Sequence, residues 1–489
     1  MAARRITLAT VQMNLLLDEV DVLEVSGDPS AVDVTTIEHD SRRVTPGALF
    51  CCLPGNETDG HDHAAEAVAR GAVGLVCEHL LEALPHAVVQ ARVPEGSARP
   101  TMARLAAALF GFPSRELVVA GVTGTNGKTT VTHLLAAVLE EAGLGAHVIG
   151  TLGGARTTPE ATELQSILAT LRDAQRATGV PQAVAMEVSS HALVQSRVDG
   201  IHFDVAVFTN LSHEHLDFHR TMEAYFAAKA SLFSPEHAVA GVVNVDDEWG
   251  RRLFDGADIP IHPVRRSDAS DVELSLGASR FSWHGQAVEV QLTGAFNVDN
   301  ALLAAEAAVV LGIAPRLVAA GLGKAPPVPG RMEVVSPVGR PVVVVDYAHT
   351  PAGLACVIDE ARALAPGASI TVVFGCGGDR DRAKRPAMGK AAVAGADRAV
   401  LTTDNPRRED PERIVAEVLA GVDPDALVSG RLVVEPDRRR AIELAIAAAG
   451  PGDVVLICGK GHERTQEIGG TARPFEDRLV AEEVLGCSP

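Results

Sequence analysis

The run G-V-T-G-T-N-G-K-T-T, Gly121 to Thr130, has the residue types needed to grip a phosphate chain. An apolar stretch, Leu117 to Ala120, precedes it, and a helix-like segment, Val131 to Glu141, follows. A strand that turns through glycines into a helix offers backbone N–H groups and a helix N-terminus to anionic oxygens. Lys128 is placed to neutralise terminal phosphate charge, and the Thr129 hydroxyl to reach magnesium. The common G-x-x-x-x-G-K-[ST] spacing asks for glycine where this chain has Val122, so Gly121, Gly124 and Gly127 define a variant loop. The apolar run Ala183 to Met186 ends in Glu187, and a carboxylate at a strand end beside a phosphate loop suits magnesium. After the run Val205 to Phe208 comes N-L-S-H-E-H-L-D-F-H, Asn210 to His219. Its histidines and carboxylates admit a zinc site, a merely polar loop, or a magnesium ligand at His215; the zinc-helix pattern H-E-x-x-H is absent. In Y-F-A-A-K-A-S-L-F, Tyr225 to Phe233, the pattern alone has Lys229 snorkelling from an amphipathic helix to the surface.

Elements positioning these residues are legible from composition and rhythm. At 489 residues the chain exceeds one core and calls for about three domains. We place them at 1–112, 113–330 and 331–489. G-F-P-S, Gly111 to Ser114, marks the first junction, and the stiff A-P-P-V-P-G, Ala325 to Gly330, the second. In the third segment, apolar runs at Val342–Val345, Ile370–Phe374, Ala399–Thr402 and Val454–Ile457 alternate with helical patterns such as Arg438 to Ala449. That alternation indicates an α/β fold with a mostly parallel sheet. Each run ends at once in polar or glycine-rich sequence: D-Y-A-H-T-P, G-C-G-G-D-R-D-R, D-N-P-R and C-G-K-G-H-E. Open parallel sheets bind ligands at that edge.

A net charge of −20 argues against nucleic acid or an anionic membrane as the main partner. Seven scattered cysteines, with no C-x-x-C pair, read as reduced thiols in a cytosol. Residues 1–19 lack a signal-peptide pattern, and no apolar run reaches the roughly 20 residues of a membrane span, so we expect a cytoplasmic protein without membrane insertion.

The order G-T-N-G-K-T-T, E-V-S-S-H, H-L-D-F-H, Y-x-x-A-K, G-x-F-N-V-x-N (Gly294 to Asn300), P-G-R-M-E (Pro329 to Glu333) and D-Y-A-H-T-P resembles the Mur ligases. Those enzymes add amino acids to the UDP-N-acetylmuramoyl precursor of bacterial peptidoglycan. H-D-S-R-R-V-T-P-G-A-L-F, His39 to Phe50, is similar to that family's UDP-binding domain, and the chain is most similar to the members adding the third stem-peptide residue. The resemblance implies an N-terminal UDP-binding α/β domain, a central P-loop ATPase-like domain and a C-terminal Rossmann-like domain. It implies that Gly124, Thr125, Asn126, Gly127, Lys128, Thr129 and Thr130 hold the ATP phosphates. Thr129, Glu187 and His215 would surround magnesium, of which two ions are expected, together with Lys229 as a CO2-derived carbamate. Asn297 and Asn300 would lie on the adenine side, with Arg331, Asp346, Tyr347 and His349 as further ATP contacts. Ser41, Arg42, Thr157, Thr158, Ser189, Gln195 and Arg197 match positions that hold UDP-MurNAc-dipeptide. The link G-T-L-G-G-A-R-T before Thr158 is shorter than in several relatives. A monomer is expected.

D-N-P-R, Asp404, Asn405, Pro406 and Arg407, resembles the signature of ligases accepting meso-diaminopimelate. A guanidinium can bind that substrate's distal carboxylate with two parallel hydrogen bonds, whereas lysine would leave it unpaired. Arg380, Gly459 and Glu463 are implied as further diaminopimelate contacts. The expected chemistry is an acyl phosphate formed from ATP and then attacked by the amine. LL-diaminopimelate or lysine as the added amino acid, or a folylpolyglutamate-type ligase, are the alternatives. The last lacks the extra N-terminal domain, whereas over a hundred residues precede the loop here. A regulatory GTPase would need N-K-x-D, which is absent. A zinc hydrolase would use the His213–His219 cluster, and a non-catalytic scaffold would have no use for so many strand-end polar loops.

Overall fold

A computed structural model describes residues 10–55, 58–82, 84, 88–154, 156–336 and 339–486. Residues 1–9, Ala155 of the short link and Cys487 lie outside the described residues. Three α/β units follow one another, each built on its own sheet.

The first sheet has five strands in the order Glu24–Ser26, Val89–Arg92, Ala72–Cys77, Ala48–Cys51, Thr36–Glu38, all parallel except the first edge. The helix Ala98–Leu109 closes one face.

The second sheet is six-stranded and wholly parallel, in the order Ile261–Val264, Ala238–Asn244, Phe203–Phe208, Val118–Thr123, Gln182–Glu187, Gly145–Ile149. Alternate residues feed two cores: Ala120, Val122, Ala183 and Ala185 face one, and Val119, Val184 and Met186 face the other. Burial on both faces is why these strands read as unbroken apolar runs. Register decides the site. Glu187 stands opposite Val122, and Phe208 opposite Thr123, so three strands end flush and their loops meet. The helix Lys128–Glu141 starts directly from that edge.

Sequence reading did not anticipate a three-stranded antiparallel sheet at Ser270–Ser275, Ala278–Trp283 and Gln286–Val290. Its Phe281, Trp283, Val288 and Val290 pack on the core that also buries the helix Ala295–Val310.

The third sheet runs Glu333–Val334, Val342–Asp346, Val454–Cys458, Ile370–Phe374, Arg398–Leu401, Leu432–Val434, with only the first pairing antiparallel. The four expected runs are its four inner strands. The interval after Leu401 holds an additional edge strand, Leu432–Val434, too short to show a period. Cys458 pairs with Asp346, and Phe374 with Leu401, which sets the polar strand-end loops side by side. The six described cysteines are free thiols. Among the described residues, no helix is long and apolar enough to cross a membrane.

Candidate active site

Between the second and third sheets lies a cavity of about 520 Å³, lined by Thr125 to Thr130, Glu187, His215, Asn300, Arg331, Asp346, Tyr347 and His349 among others. Most residues expected to hold nucleotide and metal therefore share one space.

The loop fits its path only with glycine at two positions. Gly124 has φ +145°, and a Cβ there would sit 1.9 Å from Thr209 Oγ1; Gly127 has φ +88°, and a Cβ would meet Asn300 Oδ1 at 2.4 Å. We predict that Gly124→Ala destabilises the protein by about 2 kcal/mol or more and abolishes ADP-induced stabilisation. A melting curve with and without ADP checks this, and an unchanged ADP shift contradicts it.

The Lys128 ammonium donates to the carbonyls of Gly124 and Thr125 at 2.9 and 2.8 Å. Thr129 Oγ1 lies 3.0 Å from Glu187 Oε2, which also accepts from Thr151 Oγ1 at 3.1 Å, while Glu187 Oε1 takes the Thr151 N–H at 2.9 Å. A carboxylate ringed by hydroxyls is an all-oxygen donor set, the kind a hard divalent cation prefers.

His215 caps the short helix Leu216–His219 from a left-handed backbone, φ 56°, a conformation uncommon outside glycine. Withdrawal of its ring from water, reinforced by His191, Lys128 and Lys229, pushes its pKa down to about 4, leaving a neutral imidazole near pH 7. The zinc reading of this segment finds no ligand set: no group of three or more His, Cys, Asp or Glu among the described residues is placed to hold a metal. His219 is instead hydrogen-bonded to Ser190 Oγ at 2.9 Å, and His191 stacks on Phe218.

Lys229 does not snorkel. It is 1 % exposed, and its ammonium donates to Gly124 O at 2.8 Å and lies 4.7 Å from the Tyr225 ring. The surface reading failed because the phosphate loop covers the face of the helix Met222–Ala230 on which Lys229 lies. Burial, then the Lys128 charge, pushes its pKa well below the ordinary lysine value.

From the third sheet, Asp346 accepts the N–H groups of Met332 and Ala348, each at 2.7 Å, pinning the turn that carries Arg331. Arg331 crosses to donate to Thr129 Oγ1 at 3.1 Å and lies over the Tyr347 ring; its buried Nε has no hydrogen-bond partner among the described residues. Asn297 lies just behind the cavity wall, donating to Thr293 O and accepting from Asn300.

The remaining residues form two flanking clusters. Thr158 Oγ1 bridges Glu187 O and Ser189 N, while Arg197 donates to Thr158 O at 3.0 Å and to Gln195 Oε1 at 2.5 Å. Thr157 lines the cavity. Ser41 and Arg42 stand apart on the first unit, bonded to Glu66 and Asp40; nearby His39 feels the carboxylate of Glu160, which pairs with Arg197. On the third unit, Arg407 Nη1 donates to Gly378 O at 2.7 Å, and exposed Arg380 packs on Gly377. Arg407 is left-handed, φ 52°, held there by backbone bonds to Glu467 and Gly470. Asp404 lies against Gly459, and Asn405 donates to Glu463 at 2.6 Å, with Pro406 between Asn405 and Arg407. Tyr347, which lines the cavity, has its ring 5.2 Å from that of His462, the neighbour of Glu463.

Comparison with known proteins accounts for this arrangement. Family models match residues 33–115 (Mur ligase family, catalytic domain), 122–308 (Mur ligase middle domain) and 330–461 (Mur ligase, glutamate ligase domain). The chain is 45% identical over 486 residues to a Streptomyces avermitilis protein named UDP-N-acetylmuramoyl-L-alanyl-D-glutamate–2,6-diaminopimelate ligase, covering 93% of this chain and 92% of that one. The chain belongs to the Mur ligase family.

A like-named Gloeobacter violaceus protein shares 45% identity over 474 residues, covering 93% of this Mur ligase and 94% of that chain. A solved structure bearing the same ligase name aligns with TM-score 0.67 and 31% identity over 98% of this chain and 99% of that one. A MurF ligase from Thermotoga maritima, 19% identical with TM-score 0.62 over 92% and 96%, shares the fold.

Two residues of this Mur ligase escaped the sequence reading. Glu214 lines the cavity 3.3 Å from His349 Nε2, a contact between the second and third units. Against its burial, the His349 bond and the nearby His215 and Lys128 hold its carboxyl well below the usual range. Lys460 is fully buried among the strand-end loops of the third unit, bonded to Asn405, Glu463 and Thr465. Each sits in a polar stretch whose burial only the fold reveals; the one available signal was its place beside a quoted motif residue, His215 or Gly459.

Proposed function

We propose that this Mur ligase joins an amine of 2,6-diaminopimelate to a carboxylate of UDP-N-acetylmuramoyl-L-alanyl-D-glutamate at the expense of ATP, the MurE-type reaction. The observation that carries this reading is Arg407. Its guanidinium lies among the strand-end loops that open past Tyr347 onto the nucleotide cavity. A planar cation there pairs with the distal carboxylate that diaminopimelate has and lysine lacks.

The loop amides and Lys128 hold the ATP phosphates, and Arg331 offers to the same charge its Nε, which has no partner among the described residues. A carboxylate oxygen of the dipeptide attacks the γ-phosphorus, and ADP leaves with the bridging oxygen. The diaminopimelate amine then attacks the acyl carbon, loses a proton to solvent, and inorganic phosphate departs. Thr129, Glu187, His215 and Lys229 as its carbamate would hold magnesium, which supplies charge neutralisation at the transferring phosphoryl group. The carbamate reading rests on a buried amine with no ion-pair partner among the described residues. Its neutral form is the one that adds CO2, turning a charge that repels magnesium into one that binds it. Thr158, Ser189, Gln195 and Arg197 lie one strand end from Glu187, suited to the dipeptide, with Ser41 and Arg42 toward the UDP.

Phosphate release scanned across diaminopimelate isomers, lysine and ornithine tests the reading. Arg407→Ala should lower kcat/KM for diaminopimelate by about a hundredfold, the loss of a bidentate charged pair, and leave use of lysine nearly unchanged. Equal losses with every amino acid would refute the selectivity argument.

A further inference from the structure

The geometry points to Lys460 as a positioning residue for the incoming amino acid, presenting one oxygen of Glu463 to the substrate's ammonium. This inference rests on the amino-acid site proposed above. Lys460 is 0 % exposed and follows Gly459 at the end of the strand Val454–Cys458. All three of its ammonium protons are used: on Thr465 O at 2.7 Å, Glu463 Oε2 at 3.0 Å and Asn405 Oδ1 at 3.2 Å. Each partner belongs to the amino-acid loops and none to a hydrophobic core.

Asn405 completes the arrangement. Its Oδ1 also accepts the Glu467 N–H at 2.9 Å, which forces its Nδ2 toward Glu463 Oε2, 2.6 Å away. The Glu463 carboxylate is therefore divided. Oε2 carries two protein donors, whereas Oε1 takes none among the described residues, on a side chain 30% exposed. Oε1 is the atom left for a cationic ligand, and Lys460 fixes where it points. Without the ammonium, Glu463 loses one of its two anchors, Asn405 Oδ1 loses a donor, and the carboxylate is free to swing.

Phosphate release by the wild-type enzyme first identifies the amino acid used. A wild type that takes lysine instead counts against the diaminopimelate reading and leaves Lys460 to be scored with lysine. For Lys460→Met and Lys460→Gln, the KM for that amino acid should rise by about tenfold or more, while the KM for ATP stays within about twofold. Adding Glu463→Gln to Lys460→Met should cost little further, because both act through one carboxylate. ATP and amino-acid KM values rising together, or effects of the two substitutions that multiply independently, would overturn the inference. So would both Lys460 variants proving too unstable to purify, which would assign the residue to stability alone.

Discussion

Lys128→Ala lowers ATP turnover by about a thousandfold or more, the range for losing a preorganised cation on a transferring phosphoryl group, while the protein stays folded. The second half follows from what the side chain touches. Its ammonium bonds only to two carbonyls of its own loop and forms no ion pair among the described residues, while burial lowers its pKa. Removing it breaks no ion pair, and the two buried carboxylates that feel its charge keep other partners, Glu214 the His349 ring and Glu187 the Thr129 and Thr151 donors, so the large penalty of a broken buried pair does not arise. Phosphate release and a melting curve with and without ADP separate the two effects. Wild type should melt higher with ADP by mass action, and the variant should lose most of that shift. Undiminished turnover would remove the loop from the mechanism.

Lys229→Met is the second large effect, and here activity and stability move in opposite directions. Turnover falls nearly to background, and Lys229→Ala recovers part of it with short-chain carboxylic acids, which restore anionic oxygens. Intact-mass analysis should show one CO2 adduct on wild type and none on either variant. The methionine variant should also melt higher in CO2-free buffer, because an unpaired ammonium is replaced by an apolar chain of similar length; each kcal/mol gained is worth about 2–4 °C in a domain of this size. The pH dependence has a definite sign. The folded-state pKa lies well below the ordinary 10.5, so the unfolded chain binds the extra proton, and stability from this group rises with pH. The advantage of the variant is greatest at low pH and shrinks as pH approaches 10.5. A constant difference would mean that Lys229 is not desolvated as its burial implies, and full activity without rescue would exclude it from the metal site.

What was legible in the chain was whatever backbone geometry forces on local residue choice. Glycines at 124 and 127 are demanded by φ and close approach, and apolar strands ending in polar loops are demanded by a parallel sheet covered on both faces. Those constraints exposed the loop, Glu187, Asp346 and the D-N-P-R edge. What was hidden is decided by contacts distant in sequence. Glu214 is made important by His349, and Lys229 is sealed by Gly124. The small antiparallel sheet did leave a trace in the alternation of Phe281 and Trp283 across Gly285 to Val288 and Val290, over strands short enough to be overlooked.

Arg331 and Tyr347 have a bearing on how such enzymes diversify. The guanidinium that reaches Thr129 lies on the same side of the proline-rich junction as the D-N-P-R edge, and the Tyr347 ring lies between that guanidinium and His462. A hybrid that borrows its last module from a relative with another amino-acid preference thus imports Arg331 and its reach to Thr129 along with the new loops. Grafts joined upstream of Arg331 keep it with Tyr347, and grafts joined between the two split that pair between two parents.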